Sequence, residues 1–328
     1  DDAEVREMMK NRKPEEVDKL SIGTRVGMIQ ALDTGTTTLE ESKMIGDLAL
    51  SIARTDPEQL TPEVAKRMQD DGVAAFVKGA SEEILDSIPA KTRAEMINQL
   101  AEGETLPEED EMIGKLAASI AKTDPEALTP EVIKTMDDNG VRELMKSLPA
   151  EQLDKLPAKT REAMIKELAA GNTSDEEDKL IGDLAASLAK TNPEALSADL
   201  IATMDDNGVR ALMDHLDNKA LEKLPADTRT AMIKQLAEGH TSKEEDALIG
   251  RLGASLAKSA PEALTPEIVK LMDDNGVRAM TQDMSVEDLS KLPRATLEAM
   301  REELRAGWTT DNEYKQIDKI TQALANAN

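Results

Sequence analysis

One phrase returns at a fixed step and limits what this chain can fold into. TRVGMIQALDTG occupies 24–35, TRAEMINQLAEG 92–103, TREAMIKELAAG 160–171 and TRTAMIKQLAEG 228–239, with a looser copy, TLEAMREELRAG, at 296–307. Successive copies stand 68 residues apart, without insertion or deletion. A second phrase, MDDNGVR, keeps that step at 136–142, 204–210 and 272–278, and a worn copy runs from Met68 to Val73. Self-similarity at a constant long period marks a repeat architecture, in which each repeat buries its apolar face against its neighbours. The period divides the 328 residues into a partial repeat 1–23, full repeats 24–91, 92–159, 160–227 and 228–295, and a partial repeat 296–328, expected as one continuous solenoid. Both ends fall inside a repeat, which fits a piece of a longer array.

The repeat from Thr160 shows what each unit is made of. Pro157 can open a helix, since the N–H it lacks is one the first turn leaves unpaired. Met164, Ile165 and Leu168 share a helical face, and Gly171 suits a left-handed C-terminal cap. Ser174 with Glu177 has the spacing of a capping box, and Asp175 to Glu177 place carboxylates in the first turn, where the helix dipole favours them. Leu180, Ile181, Leu184 and Leu188 form an apolar stripe. Gly182 has counterparts at Gly46, Gly114 and Gly250, which predicts a close helix–helix approach there. Asn192-Pro193 breaks the chain, because the residue before a proline is pushed out of the helical region. Thr129-Pro130-Glu131 reads as N-cap, first helical residue and first-turn acid. The following Asp137-Asp138-Asn139-Gly140 reads as that helix's C-terminal turn, since Asn-Gly tolerates positive φ.

Each repeat thus holds about five short helices, none stable alone. The fold class expected is all-α, a right-handed superhelical α-solenoid of about five units. Composition agrees: the chain has one Phe, one Trp and one Tyr, so Leu, Ile, Val, Met and Ala must fill the core. Met28, Met96, Met164, Met232 and Met300 recur in register, and core filling accounts for them.

Charge and residue types restrict function. The net charge of −26 repels phosphate backbones and anionic lipid, which argues against nucleic acid and against membrane binding. No apolar run approaches the length of a membrane span. The expected setting is soluble, cytoplasmic or secreted. With no cysteine, disulfides, thiolate metal sites and thiol nucleophiles are absent. The two histidines, His215 and His240, stand at different places in their repeats, and no nucleophile elbow, phosphate loop or histidine metal spacing is present. No enzyme activity and no cofactor are expected.

The recurring acidic turns are the candidate contact surface: Asp137 and Asp138, Asp205 and Asp206, Asp273 and Asp274. Trp308, which breaks the repeat pattern, is either packing at the end of the array or an exposed contact residue. A protein partner with basic or amphipathic segments fits these rows, so the first expectation is a protein–protein interaction scaffold or adaptor, such as a secreted bacterial effector or a spacer. A filament or virion component, associating through its repeat ends, is a further reading.

A third rests on a resemblance. Gly171-Asn-Thr-Ser-Asp-Glu-Glu before a helix is similar to the glycine-rich acidic calcium loop of the annexin family, and Asp205-Asp-Asn-Gly208 resembles that family's downstream acidic turn. The second loop glycine is missing, the two motifs lie closer together than in annexins, and more than four units are present. The resemblance implies calcium-dependent membrane attachment, with Asp137, Asp205, Asp273 and Gly171 as calcium residues. An EF-hand does not fit, because the twelfth position counted from Thr135 is Lys146, where a bidentate Glu is needed.

Overall fold

The computed structural model describes residues 2–34, 37–282, 284–306 and 311–326. Among them every regular element is helical, and the 68-residue step of the sequence returns in the helices, an all-α repeat fold of the solenoid class. By packing, the chain divides into two compact units, Asp1–Glu167 and Leu168–Asn328. Trp308 lies outside the described residues.

In the first unit one repeat runs as follows. An 11-residue helix, Ala90–Leu100, precedes the 17-residue helix Pro107–Thr123. A 3-10 turn, Pro125–Ala127, leads into the bent helix Pro130–Ser147, and Ala150–Leu153 closes the repeat. The second unit repeats this with Ala226–Leu236, Lys243–Ser259, Pro261–Ala263, Pro266–Gln282 and Val286–Leu289. Counting the bent helix as its two halves gives the five short helices expected.

The local signals act where the sequence placed them. The Ser174 hydroxyl accepts from the Glu177 N–H, and the Glu177 carboxylate accepts from the Ser174 N–H at 2.8 Å, a complete capping box. Thr38 with Glu41 and Ser242 with Glu245 repeat it. Gly103, Gly171 and Gly239 take φ of 103°, 94° and 92°. A Cβ on Gly182 would stand 2.6 Å from the Ala211 Cβ and 2.7 Å from its carbonyl carbon, so the long helix touches its neighbour's backbone there. Met96, Met164, Met232 and Met300 are fully enclosed and Met28 nearly so, which makes this row core.

The Thr-Arg pair that opens each repeated phrase is buried as well. Thr92 and Thr160 donate to the carbonyl oxygens of Leu60 and Leu128 at 2.6 and 2.7 Å, and Thr228 and Thr296 do the same for Leu196 and Leu264. Those carbonyls end the 3-10 turns, out of reach of water, and a buried acceptor needs a donor. Each arginine crosses to the long helix. Arg25 reaches the Ser51 and Thr55 hydroxyls at 2.8 Å, Arg93 those of Ser119 and Thr123, and Arg229 those of Ser255 and Ser259. Burial lowers the pKa of each guanidinium, opposed by acids nearby, Asp18 for Arg25 and Asp86 for Arg93.

Candidate functional site

The Asp-Asp-Asn-Gly turns correct one expectation. They end one helix at the first aspartate rather than at Asn-Gly, and the positive φ does not fall on Asn-Gly. The backbone breaks at the first aspartate, Asp137 with φ 56° and Asp273 with φ 53°, and Asn139-Gly140 already lies in the next helix. The first aspartate caps that helix. Asp137 Oδ1 accepts from the N–H groups of Asn139 and Gly140 at 2.9 and 3.2 Å, and Asp273 Oδ1 from Asn275 and Gly276 at 2.8 and 3.3 Å. Asp205 does this at φ −85°, accepting from Gly208 at 2.8 Å. The glycine is required by packing: a Cβ on Gly140 would stand 3.0 Å from Ile113 and from Met136.

The arginine after each turn pairs with the turn itself. It bonds to the turn's asparagine: Arg142 to Asn139, Arg210 to Asn207 at 2.7 Å, Arg278 to Asn275. Arg210 also reaches Glu245, the capping-box glutamate of the next long helix, at 3.2 Å, and Arg278 reaches its counterpart Glu313 at 2.7 Å. In the first unit Arg6 meets Glu41 in the same way at 3.3 Å. Arg210 and Arg278 thus join repeats, and the Arg210 charge also tempers the rise of the Asp206 carboxyl.

What surrounds the turns is further acid, tempered by a lysine beside each of Glu167 and Glu303. Glu167 has its pKa raised by burial first, with the Lys134 charge opposing the rise and Asp137 and Asp138 adding to it. Glu303 is raised by burial in the same way, opposed by Lys270 and reinforced by Asp273 and Asp274. Asp205 and Asp206 share with Gly171, Thr173, Gln235 and Glu238 a cavity of about 280 Å³. There the Thr173 hydroxyl donates to Asp205 Oδ2 at 3.1 Å. The Asp206 carboxyl is pushed up by burial, then by its hydrogen bond with Glu245 and by Asp205. Asp137 is raised by burial, then by Asp110 and Asp138, against the N–H groups that bond it.

The acidic clusters that open the long helices, Glu108 to Glu111, Asp175 to Asp178 and Glu244 to Asp246, read from sequence as a solvated face that caps the helix, each hide a buried acid. Asp110, Asp178 and Asp246 sit in the first turn of the long helices, buried, each with Oδ1 lacking a hydrogen-bond partner. Burial raises Asp178 and Asp246, and the neighbouring Asp205 and Asp273 add to it. They looked like solvated first-turn carboxylates. Their register is the available signal: each stands one place after the capping glutamate, and Ser42 holds that place in the first repeat.

The structure thus brings Gly171 and Asp205 to one cavity, as the calcium expectation requires. Among the described residues, however, no three carboxylate or imidazole groups are gathered to hold a metal ion. His215 lies 3.0 Å from Asp183, both partly exposed. Among the described residues no helix is long and apolar enough to cross a membrane. No family model matches the chain, and no curated protein matches it.

Proposed function

We propose that this chain is a non-enzymatic scaffold that binds a protein partner with basic segments through its repeated aspartate turns. One observation carries the reading. Paired aspartates recur at the same place in successive repeats, Asp137–Asp138, Asp205–Asp206 and Asp273–Asp274, with Glu167 and Glu303 beside the first and third pairs and Gln235 in that place beside the second. Like charges held together favour a cationic partner, which gains attraction and relieves the repulsion. A repeat fold offers such a partner the same contact several times.

Within each turn the two aspartates divide the work. Asp137, Asp205 and Asp273 cap helices, so the second residues, Asp138, Asp206 and Asp274, carry the recognition. The test is affinity capture from lysate with the parent and with Asp138, Asp206 and Asp274 each changed to Lys. A partner retained by the parent and lost by a variant of unchanged helical content supports the reading. Equal retention removes the aspartate turns from the interface.

A further inference from the structure

Each unit carries a groove along its long helix, and the two grooves match in register. In the first unit Lys115, Ala118 and Lys122 of Pro107–Thr123 form the floor of a cavity of about 700 Å³, walled by the helix Glu82–Ser87 and by Leu148. Two repeats later Arg251, Ala254 and Lys258 of Lys243–Ser259 form the floor of one of about 300 Å³, walled by Asn218, Glu222 and Met284. Each residue of the second set is the counterpart of one in the first.

The charge of these grooves runs against that of the chain. With 66 acidic and 40 basic residues overall, a groove in which cations outnumber acids, even by one, is the exception. Lys115, Lys122 and Lys78 face Glu82 and Asp86 in the first groove; Arg251 and Lys258 face Glu222 in the second. The place held by Lys115 and Arg251 is held by Asp47 and Asp183 in the intervening repeats, so the cationic floor occurs once per unit.

The spacing is as informative as the sign. Lys115 and Lys122, like Arg251 and Lys258, stand seven residues apart, close to two helical turns, on one face of their helix. Between them lie Ala118 or Ala254, small enough to let another backbone approach. Arg251 is held in place by a bond to the Leu216 carbonyl at 2.6 Å. Lys115 is paired with Glu111, 2.7 Å away on the same helix, and Lys122 with Asp86 of the groove wall at 2.5 Å, so a partner's carboxylates would exchange with these two acids.

We propose that each groove seats an acidic amphipathic helix of a partner protein. Carboxylates seven residues apart on that helix meet Lys115 and Lys122, or Arg251 and Lys258. The apolar side chains between them pack on Ala118 and Leu148, or on Ala254 and Met284. This is helix-in-groove recognition, with alanines giving the close approach and the paired cations giving register. It is independent of the aspartate turns, which call for the opposite charge.

The test uses the full chain and a fluorescein-labelled helical peptide of Leu and Glu on a seven-residue repeat, read by anisotropy. A Leu–Lys peptide of the same pattern and a scrambled Leu–Glu peptide are the controls. The Leu–Glu peptide is expected to bind best. Lys115→Glu with Arg251→Glu should weaken it about tenfold or more, and Ala118→Trp with Ala254→Trp should do so without changing charge. The Asp138, Asp206 and Asp274 variant should bind it as the parent does, which separates this groove from the proposed scaffold surface. Binding no tighter than the scrambled peptide, preference for the Leu–Lys peptide, or equal binding by both groove variants with intact helical circular dichroism would overturn the proposal. So would a parent dimer in sedimentation that both groove variants dissociate, since the occupant would then be a second copy.

Discussion

Arg229 donates to the Ser255 hydroxyl at 2.7 Å from inside the core, and one repeat later the same two places hold Leu297 and Ala323, both fully enclosed. A polar contact between two helices has been exchanged for an apolar one of the same register. The exchange is physically reasonable, because desolvating a guanidinium is costly and its Nε finds no acceptor here. Ser255→Ala alone should destabilise the protein by about 1–3 kcal/mol, since it strips a buried charge of a partner. Arg229→Leu combined with Ser255→Ala should return to within about 1 kcal/mol of the parent. Urea denaturation of the three proteins checks this; a double variant weaker than the single one would refute it.

Two glycine substitutions should move stability in opposite directions. In Gly250→Ala the new Cβ would stand 2.6 Å from the Ala279 Cβ and 2.8 Å from the Met280 backbone nitrogen, neither of which can swing aside. A loss of about 1–3 kcal/mol follows. Gly27→Ala lies within the helix Ile22–Leu32 with nothing inside 4 Å, so the gain in helix propensity of about 0.5–1 kcal/mol should appear undiminished. Thermal melts of the two variants give the comparison.

The aspartate turns differ in backbone strain. Asp137 holds φ 56° and ψ −171°, a region open almost only to glycine, at a cost of about 1–3 kcal/mol. Asp205 caps its helix from an ordinary extended conformation. Both lose their cap on substitution by glycine, so the difference isolates the strain. Asp137→Gly should be more stable than Asp205→Gly by about 1 kcal/mol or more, read from denaturation midpoints.

The acids predict opposite pH dependences. Asp178 is raised by burial, so the folded protein binds its proton more tightly than the unfolded chain. Its ionised form therefore costs stability at neutral pH, recovered as pH falls through the raised value. Asp178→Asn should be more stable than the parent at neutral pH, with the gap closing in acid. Glu245 is held below the ordinary range, first by the Ser242 N–H. Its contribution is present above the ordinary carboxylate value and lost as pH falls through the lowered one. Glu245→Gln should be less stable at neutral pH, and that gap too should close in acid. Denaturation across the acid range reads both.

What could be read from the sequence was whatever is local. Ser174 and Glu177 announce a helix start because both partners lie within one turn, and the glycine at Gly171 announces its own φ. The apolar stripe through Ile181, Leu184 and Leu188 needs only the helical period. The Thr-Arg pair was opaque because its partners are distant in sequence: Arg93 bonds Ser119 and Thr123, 26 and 30 residues on. A helical period says nothing of contacts between helices. Internal register was the unused clue, since Arg25, Arg93, Arg161 and Arg229 keep one place while the position two residues later changes from Gly27 to Glu95, Ala163 and Ala231. Asp137 misled for a related reason. Asn-Gly favours a left-handed turn locally, but the contact of Gly140 with Ile113 fixes that glycine inside a helix and moves the break to the aspartate.

The most direct test of the scaffold account is the salt dependence of partner affinity. The captured partner would be titrated against the parent and against the Asp138, Asp206 and Asp274 lysine variant. If the aspartate turns form the contact, the parent's affinity falls about tenfold or more between about 0.05 and 0.5 M salt as the Debye length shortens. The variant then binds weakly at every concentration. An affinity indifferent to salt and equal for the two proteins would contradict the account.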